Sequence, residues 1–180
     1  MSFEVVLQSW RDFYVISGGA AAALAGLLFV GLSLHLRTVI SESEVRGLAR
    51  VTLTNFTLIL LVALLLVVPE SRPGRTGFEL LAVGATTLAL TLPQIVTGVR
   101  RRRTLPLSLV LYRFALSGLT YAGLLAVGTL FLAGDYGNGL GWLVGVVLVL
   151  FSISIRNAWD LLVTVGQATT GHDRDPEQRR

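Results

Sequence analysis

The sequence predicts an all-α fold, a polytopic transmembrane helical bundle of five spans in a single domain. Three observations predict it. Of the 180 residues, 53% are apolar and only 14% are charged, against about 25% charged in an average soluble domain. The apolar residues gather into five stretches, each close to the roughly 20 residues a helix needs to cross hydrocarbon. The stretches are continuous rather than alternating and far exceed the about 10 residues of a barrel strand, so strands do not fit.

The first span is expected over 13–36, with His35 near its end. The residues before it lack a basic leader region and carry Glu4 and Asp12, so this stretch reads as a retained span rather than a cleaved signal. The second span is expected over 51–69. Ser41 and Glu44 stand at capping-box spacing and predict that its helix starts before the membrane. Pro73-Gly74 marks a turn, and the third span follows over 78–99. Pro93 within it removes a backbone donor and predicts a kink that frees the Ala89 carbonyl. The fourth span covers 107–133 with Arg113 inside it, and a glycine-rich loop over 134–139 leads to the fifth, over 140–165. Together 1–166 form one membrane domain, and 167–180, polar and aperiodic, read as a disordered cytoplasmic tail.

Threading follows from the arginines. Every basic residue is Arg, a usage that goes with GC-rich bacterial coding. Arg11, Arg72 and Arg75 flank one side of the five spans. Arg37, Arg46, Arg50, Arg100, Arg101, Arg102, Arg103, Arg174, Arg179 and Arg180 flank the other. Short basic loops stay on the cytoplasmic side, so ten against three predicts the N-terminus outside and the C-terminus inside a bacterial plasma (inner) membrane. Trp10, Trp142 and Trp159 fall near span ends, as interfacial belts require. The four consecutive arginines cannot enter hydrocarbon and are expected to anchor the bundle to anionic lipid headgroups. The net charge of +4 comes from these span-flanking residues. A soluble basic face for nucleic acid is missing, so no nucleic-acid partner is expected.

Two sets of residues stand out as candidate sites. Gly18, Ala22 and Gly26 in the first span, and Gly141 and Gly145 in the fifth, follow small-xxx-small spacing, which lets helix backbones approach closely. They serve either packing within one bundle or an interface between subunits. The second set is polar. His35, Asn55, Gln94, Arg113, Arg156, Asn157 and Asp160 come from all five spans and lie at similar depth in the inner half of the membrane. Ionisable groups within spans are costly and often face an interior or a partner. The set forms either a vestibule that binds an anion or conducts an ion, or a belt of snorkelling side chains. Arg156 and Asp160 are four apart and share a helix face. Glu79, four residues after Arg75, reads as an outer-mouth carboxylate or as a local ion pair.

The chain has no Cys and two His, which argues against disulfides, thiolate metal sites and a histidine metal cage, so no metal or cofactor is expected. Protease, hydrolase and nucleotide-binding motifs are missing, and no enzymatic activity is expected. The functional expectation is a small homo-oligomer that forms a permeation or ligand pathway for an ion or small solute. The alternative is a non-conducting accessory or regulatory subunit that packs against another membrane protein.

The run from Asp12 to Arg37, with Gly18-Gly19, the alanines Ala20 to Ala23, Gly26, Gly31 and His35, resembles the opening of a group of actinobacterial multi-span integral membrane proteins. The resemblance is confined to the first span. It implies location and lineage, and it implies neither an activity nor any functional residue.

Overall fold

The computed structural model describes residues 3–41, 43–68, 72–100 and 107–173, with side chains described except at 38, 43, 44, 73, 94–100, 107–115 and 167–173. Among the described residues there are seven helices and no strand: α1 Phe3–Ser9, α2 Arg11–Leu34, α3 Leu36–Ser41, α4 Ser43–Val67, α5 Pro73–Arg100, α6 Leu107–Leu132 and α7 Tyr136–Asp173. Four stretches are long and apolar enough to cross a membrane, the mark of a membrane protein: Arg11–Leu34, Val45–Val67, Gly74–Pro93 and Tyr136–Gly166. The part of α6 whose side chains are described, Leu116–Leu132, is a shorter, predominantly apolar stretch.

The helix ends differ from expectation in four places, each for a definite physical reason. The N-terminal residues form α1, because Phe3 finds a pocket between the rings of Phe131 and Tyr136, 5.9 and 5.2 Å away edge to face. The first span ends at Leu34, where the His35 N–H bonds the Leu32 carbonyl at 3.2 Å and leaves the α-helical path. The chain then resumes as α3, with Ser41 its last residue, and α4 opens at Ser43. The loop expected over 134–139 is shorter. Gly134, at φ +84°, sends its N–H to Phe131 O at 3.2 Å while the Asp135 N–H bonds Leu130 O at 3.0 Å. This pair of bonds is a Schellman stop, and the left-handed residue in it favours glycine. Asp135 then takes the Asn138 amide at 3.0 Å, and Tyr136 to Gly139 become the first turn of α7. At its other end α7 continues to Asp173, seven residues beyond the stretch expected to be ordered. No proline interrupts the ladder before that point. Helix α5 runs through Pro93 without a break.

α4, α5, α6 and α7 form a closed ring in which each packs on the next and α7 returns to α4. α2 lies outside the ring against α4 and touches α7; α1 leans on α7 and α3 on α4 and α7. Phe56, Tyr121, Leu124, Leu143 and Leu150 fill the centre. The outer surface is apolar as well, with Ile16, Leu27, Phe29, Leu119, Trp142 and Trp159 all exposed. A protein apolar both inside and out suits hydrocarbon as its solvent.

α5 and α6 approach most closely where glycines meet. A Cβ on Gly128 would lie 2.7 Å from Leu81 Cγ and 3.1 Å from the Gly77 carbonyl oxygen, and a Cβ on Gly84 would lie 3.1 Å from Leu125. In hydrocarbon no hydrophobic force drives helices together, so this close backbone contact supplies the packing energy. Between α4 and α5 the opposite holds. A groove of about 410 Å³ opens there, lined by Thr54, Leu61, Ala82, Thr86, Thr87 and Leu90 among others.

Candidate functional site: a neutral polar layer across four helices

All four ring helices bury polar side chains at one depth. α4 contributes Thr52 and Asn55, α5 Thr87 and Thr91, α6 Ser117, Thr120 and Tyr121, and α7 Ser154 and Asn157. In α4, α5 and α6 these residues lie about 9–14 positions from the arginine-rich helix ends, or about 14–21 Å at 1.5 Å per residue.

Burial is possible because most of the hydroxyls satisfy their protons locally. Thr52 donates to Leu48 O, Thr87 to Val83 O, Thr91 to Thr87 O, Thr120 to Ser117 O and Ser154 to Leu150 O, at 2.7–2.8 Å. Such back-bonding costs helices little and leaves the oxygen lone pairs facing the ring. One bond crosses the ring. The Tyr121 hydroxyl donates to Asn55 Oδ1 at 2.5 Å, joining α4 to the diagonally placed α6. The Thr91 side chain lies within hydrogen-bonding reach of the same hydroxyl. Asn55 Nδ2 and Ser117 Oγ, both buried, have no hydrogen-bond partner among the described residues. The Tyr14 hydroxyl on α2 is a third such atom.

The seven polar residues singled out from the sequence separate. Asn55 and Asn157 belong to the buried layer. His35, at the α2–α3 break, and Asp160 are half-buried, and Arg156 is exposed on α7. An arginine surrounded by apolar ring contacts would bury an ionised group, and this one faces away from the ring. From that position its long stem can carry the charge toward headgroups. The side chains of Gln94 and Arg113 lie outside the described residues, as do the Arg100 side chain and Arg101, Arg102 and Arg103 altogether. Glu79 Oε1 and Arg75 Nε form an ion pair at 2.8 Å on the exposed start of α5.

The small residues separate too. Gly18 packs on α4, where an added Cβ would meet Ala63 Cβ at 2.7 Å. Ala22, Gly26, Gly141 and Gly145 do not pack within the bundle. They face outward, and nothing lies within 4 Å of a Cβ placed on any of the three glycines. The reason is helical phase. Steps of four residues advance about 40° round a helix of 3.6 residues per turn, so the line from Gly18 through Ala22 to Gly26 rotates off the buried face. That face follows Tyr14, Gly18, Ala21, Leu28 and Leu32 instead.

Tyr121, Thr91, Ser117, Thr120, Thr87, Thr52 and Ser154 were not anticipated as site residues. Two patterns carried a signal: Thr87 and Thr91 four apart on α5, and Ser117 and Tyr121 four apart on α6. Either pair, on one face of an apolar helix, marks a polar stripe that needs an interior. Among the described residues no three His, Asp or Glu side chains gather to hold a metal. The layer can therefore donate and accept hydrogen bonds, but it offers no charge.

No family model matches this chain, and neither the curated proteins nor the solved structures include one significantly similar to it.

Proposed function

We propose that this chain is a five-span integral protein of a bacterial plasma membrane, N-terminus outside, without enzymatic activity. It assembles into a small homo-oligomer and forms a permeation or ligand pathway between subunits. α6, helical over 26 residues, supplies the fifth span. The arginine asymmetry sets the orientation, and the run Arg100 to Arg103 docks on anionic headgroups. The resemblance of the first span to actinobacterial multi-span proteins agrees with that membrane.

The observation that carries this reading is the outward placement of Ala22, Gly26, Gly141 and Gly145. Small residues on a lipid-facing surface leave a shallow furrow that another helix fills better than lipid chains do. The centre of each protomer is filled by Phe56, Tyr121, Leu124, Leu143 and Leu150, which favours a pathway between copies over one through a single copy.

The test is stepwise photobleaching of labelled protein in native-like membrane discs, followed by flux assays on reconstituted liposomes. The expected result is a discrete homo-oligomer that Gly26→Leu and Gly145→Leu return to monomer, with ion or solute flux above empty liposomes for the wild type. A monomer with a stoichiometric foreign partner replaces the reading with the accessory-subunit role. An oligomer without flux removes the pathway.

A further inference from the structure

We propose that the buried polar layer holds an internal water molecule, bound by Asn55 Nδ2, Ser117 Oγ and the oxygen cluster of Tyr121 and Thr91. Such a water would sit within one protomer whatever its oligomeric state, and hydrogen-bond supply and demand point to it. Asn55 is 0% and Ser117 2% exposed, yet an amide N–H2 and a hydroxyl on these residues have no partner among the described residues. A buried polar group left unpaired is expensive, and more so in surroundings of low dielectric constant.

Ser117 is the exception that locates the site. Thr52, Thr87, Thr91, Thr120 and Ser154 give their protons to their own helix; Ser117 does not. Its hydroxyl is left for the ring interior. Tyr121 lies one turn later on the same face of α6, and helical side chains lean toward the N-terminus. The Tyr121 hydroxyl therefore reaches back toward the turn of Ser117, and there it meets Asn55 Oδ1. Both orphaned atoms thus border the same contact between the diagonal helices α4 and α6. A water about 2.8 Å from each spans a gap of up to about 5.6 Å.

The chemistry of the surroundings selects water over an ion. An amide N–H2 demands an acceptor and repels a cation. The back-bonded threonines face the ring with lone pairs, which repel an anion and accept protons. Water meets both demands: its oxygen accepts from Asn55 Nδ2 and from the Ser117 hydroxyl, and one of its protons goes to Thr91 Oγ1. That is the usual three-bond complement of a buried water.

Radiolytic footprinting of the full chain in membrane discs tests this. X-ray pulses turn a bound water into hydroxyl radical in place, and the radical oxidises the side chain beside it. Tyr121, 0% exposed, should oxidise several-fold faster than Phe56 and Phe131, each 1% exposed. That excess should be lost in Ser117→Ala, which removes only an oxygen, and in Asn55→Leu. A Tyr121 as protected as the two phenylalanines overturns the proposal. So does an excess that survives in Ser117→Ala, the variant whose fold is least disturbed.

Discussion

The two flanks of α5 show opposite solutions to packing in a solvent as apolar as the side chains themselves. Toward α6, Gly77 and Gly84 stand seven residues apart, one face of the helix; the backbone of Gly128 closes onto Gly77, and Leu125 packs onto Gly84. Toward α4, the bulky Leu53, Leu58, Leu61 and Leu90 hold the helices apart and leave the groove. One helix therefore has a rigid side and an open side on different faces. The difference teaches that a small residue draws helices close only where the partner presents backbone or a side chain that fills the space it leaves. Gly77 opposite Gly128 gives a seam, whereas Ala82 among leucines lines a groove.

The sharpest way to break this contrast is to add volume to the seam. Gly128→Val places methyl groups where a single Cβ already meets Leu81 Cγ at 2.7 Å. Overpacking costs about 1–3 kcal/mol and occasionally more, and here the Gly77 backbone cannot yield, so a loss of about 3 kcal/mol is expected in steric-trapping unfolding. A loss below about 1 kcal/mol would mean that the α5–α6 backbone contact is not the rigid side.

The polar bond across the ring comes next in size. Tyr121→Phe removes the donor to Asn55 Oδ1 and leaves that oxygen buried. Interhelical hydrogen bonds in membranes average about 0.6 and reach about 1.7 kcal/mol, and with the orphaned acceptor a loss of about 1–2 kcal/mol is expected. Tyr14→Phe is the matched control, because its hydroxyl has no partner among the described residues. It should leave the thermal midpoint unchanged or raise it, and an equal loss in both variants would show that the Asn55 bond is not what Tyr121 contributes.

The smallest effect belongs to the open flank. Ala82 is exposed within the groove, so Ala82→Leu should change stability by no more than about 0.5 kcal/mol in either direction. A cost approaching that of Gly128→Val would show that the groove closes in the membrane.

How much of this was legible in the sequence depends on what each residue needs. The apolar stretches and their polar punctuation place the long helices, because crossing hydrocarbon requires every few residues to be apolar, whatever the neighbours. The depth of the polar layer was legible through Asn55 and Asn157. Its membership was not. Arg156 drew attention because it is charged, and for that reason it faces away from the ring. Thr52, Thr87, Thr91 and Ser154 drew none, because a hydroxyl bonded to its own helix buries cheaply and leaves an unremarkable apolar stretch. α1 was missed because seven residues carry no helical period of their own, and Phe3 is held by rings from α6 and α7.

The sequence by itself determined that the chain is helical, that at least four of its helices suit a membrane, and that positive charge collects at particular helix ends. Hydrophobicity and charge are properties of short stretches, so they add along the chain without reference to a partner. Only the tertiary structure decided which face of each helix turns inward. It separated Gly18 from Ala22 and Gly26 on one helix, and it brought Tyr121 to Asn55 across 66 positions of sequence. Helical rotation is set by contacts between remote segments, and a residue spacing of four is compatible with either face until the neighbouring helix is in place.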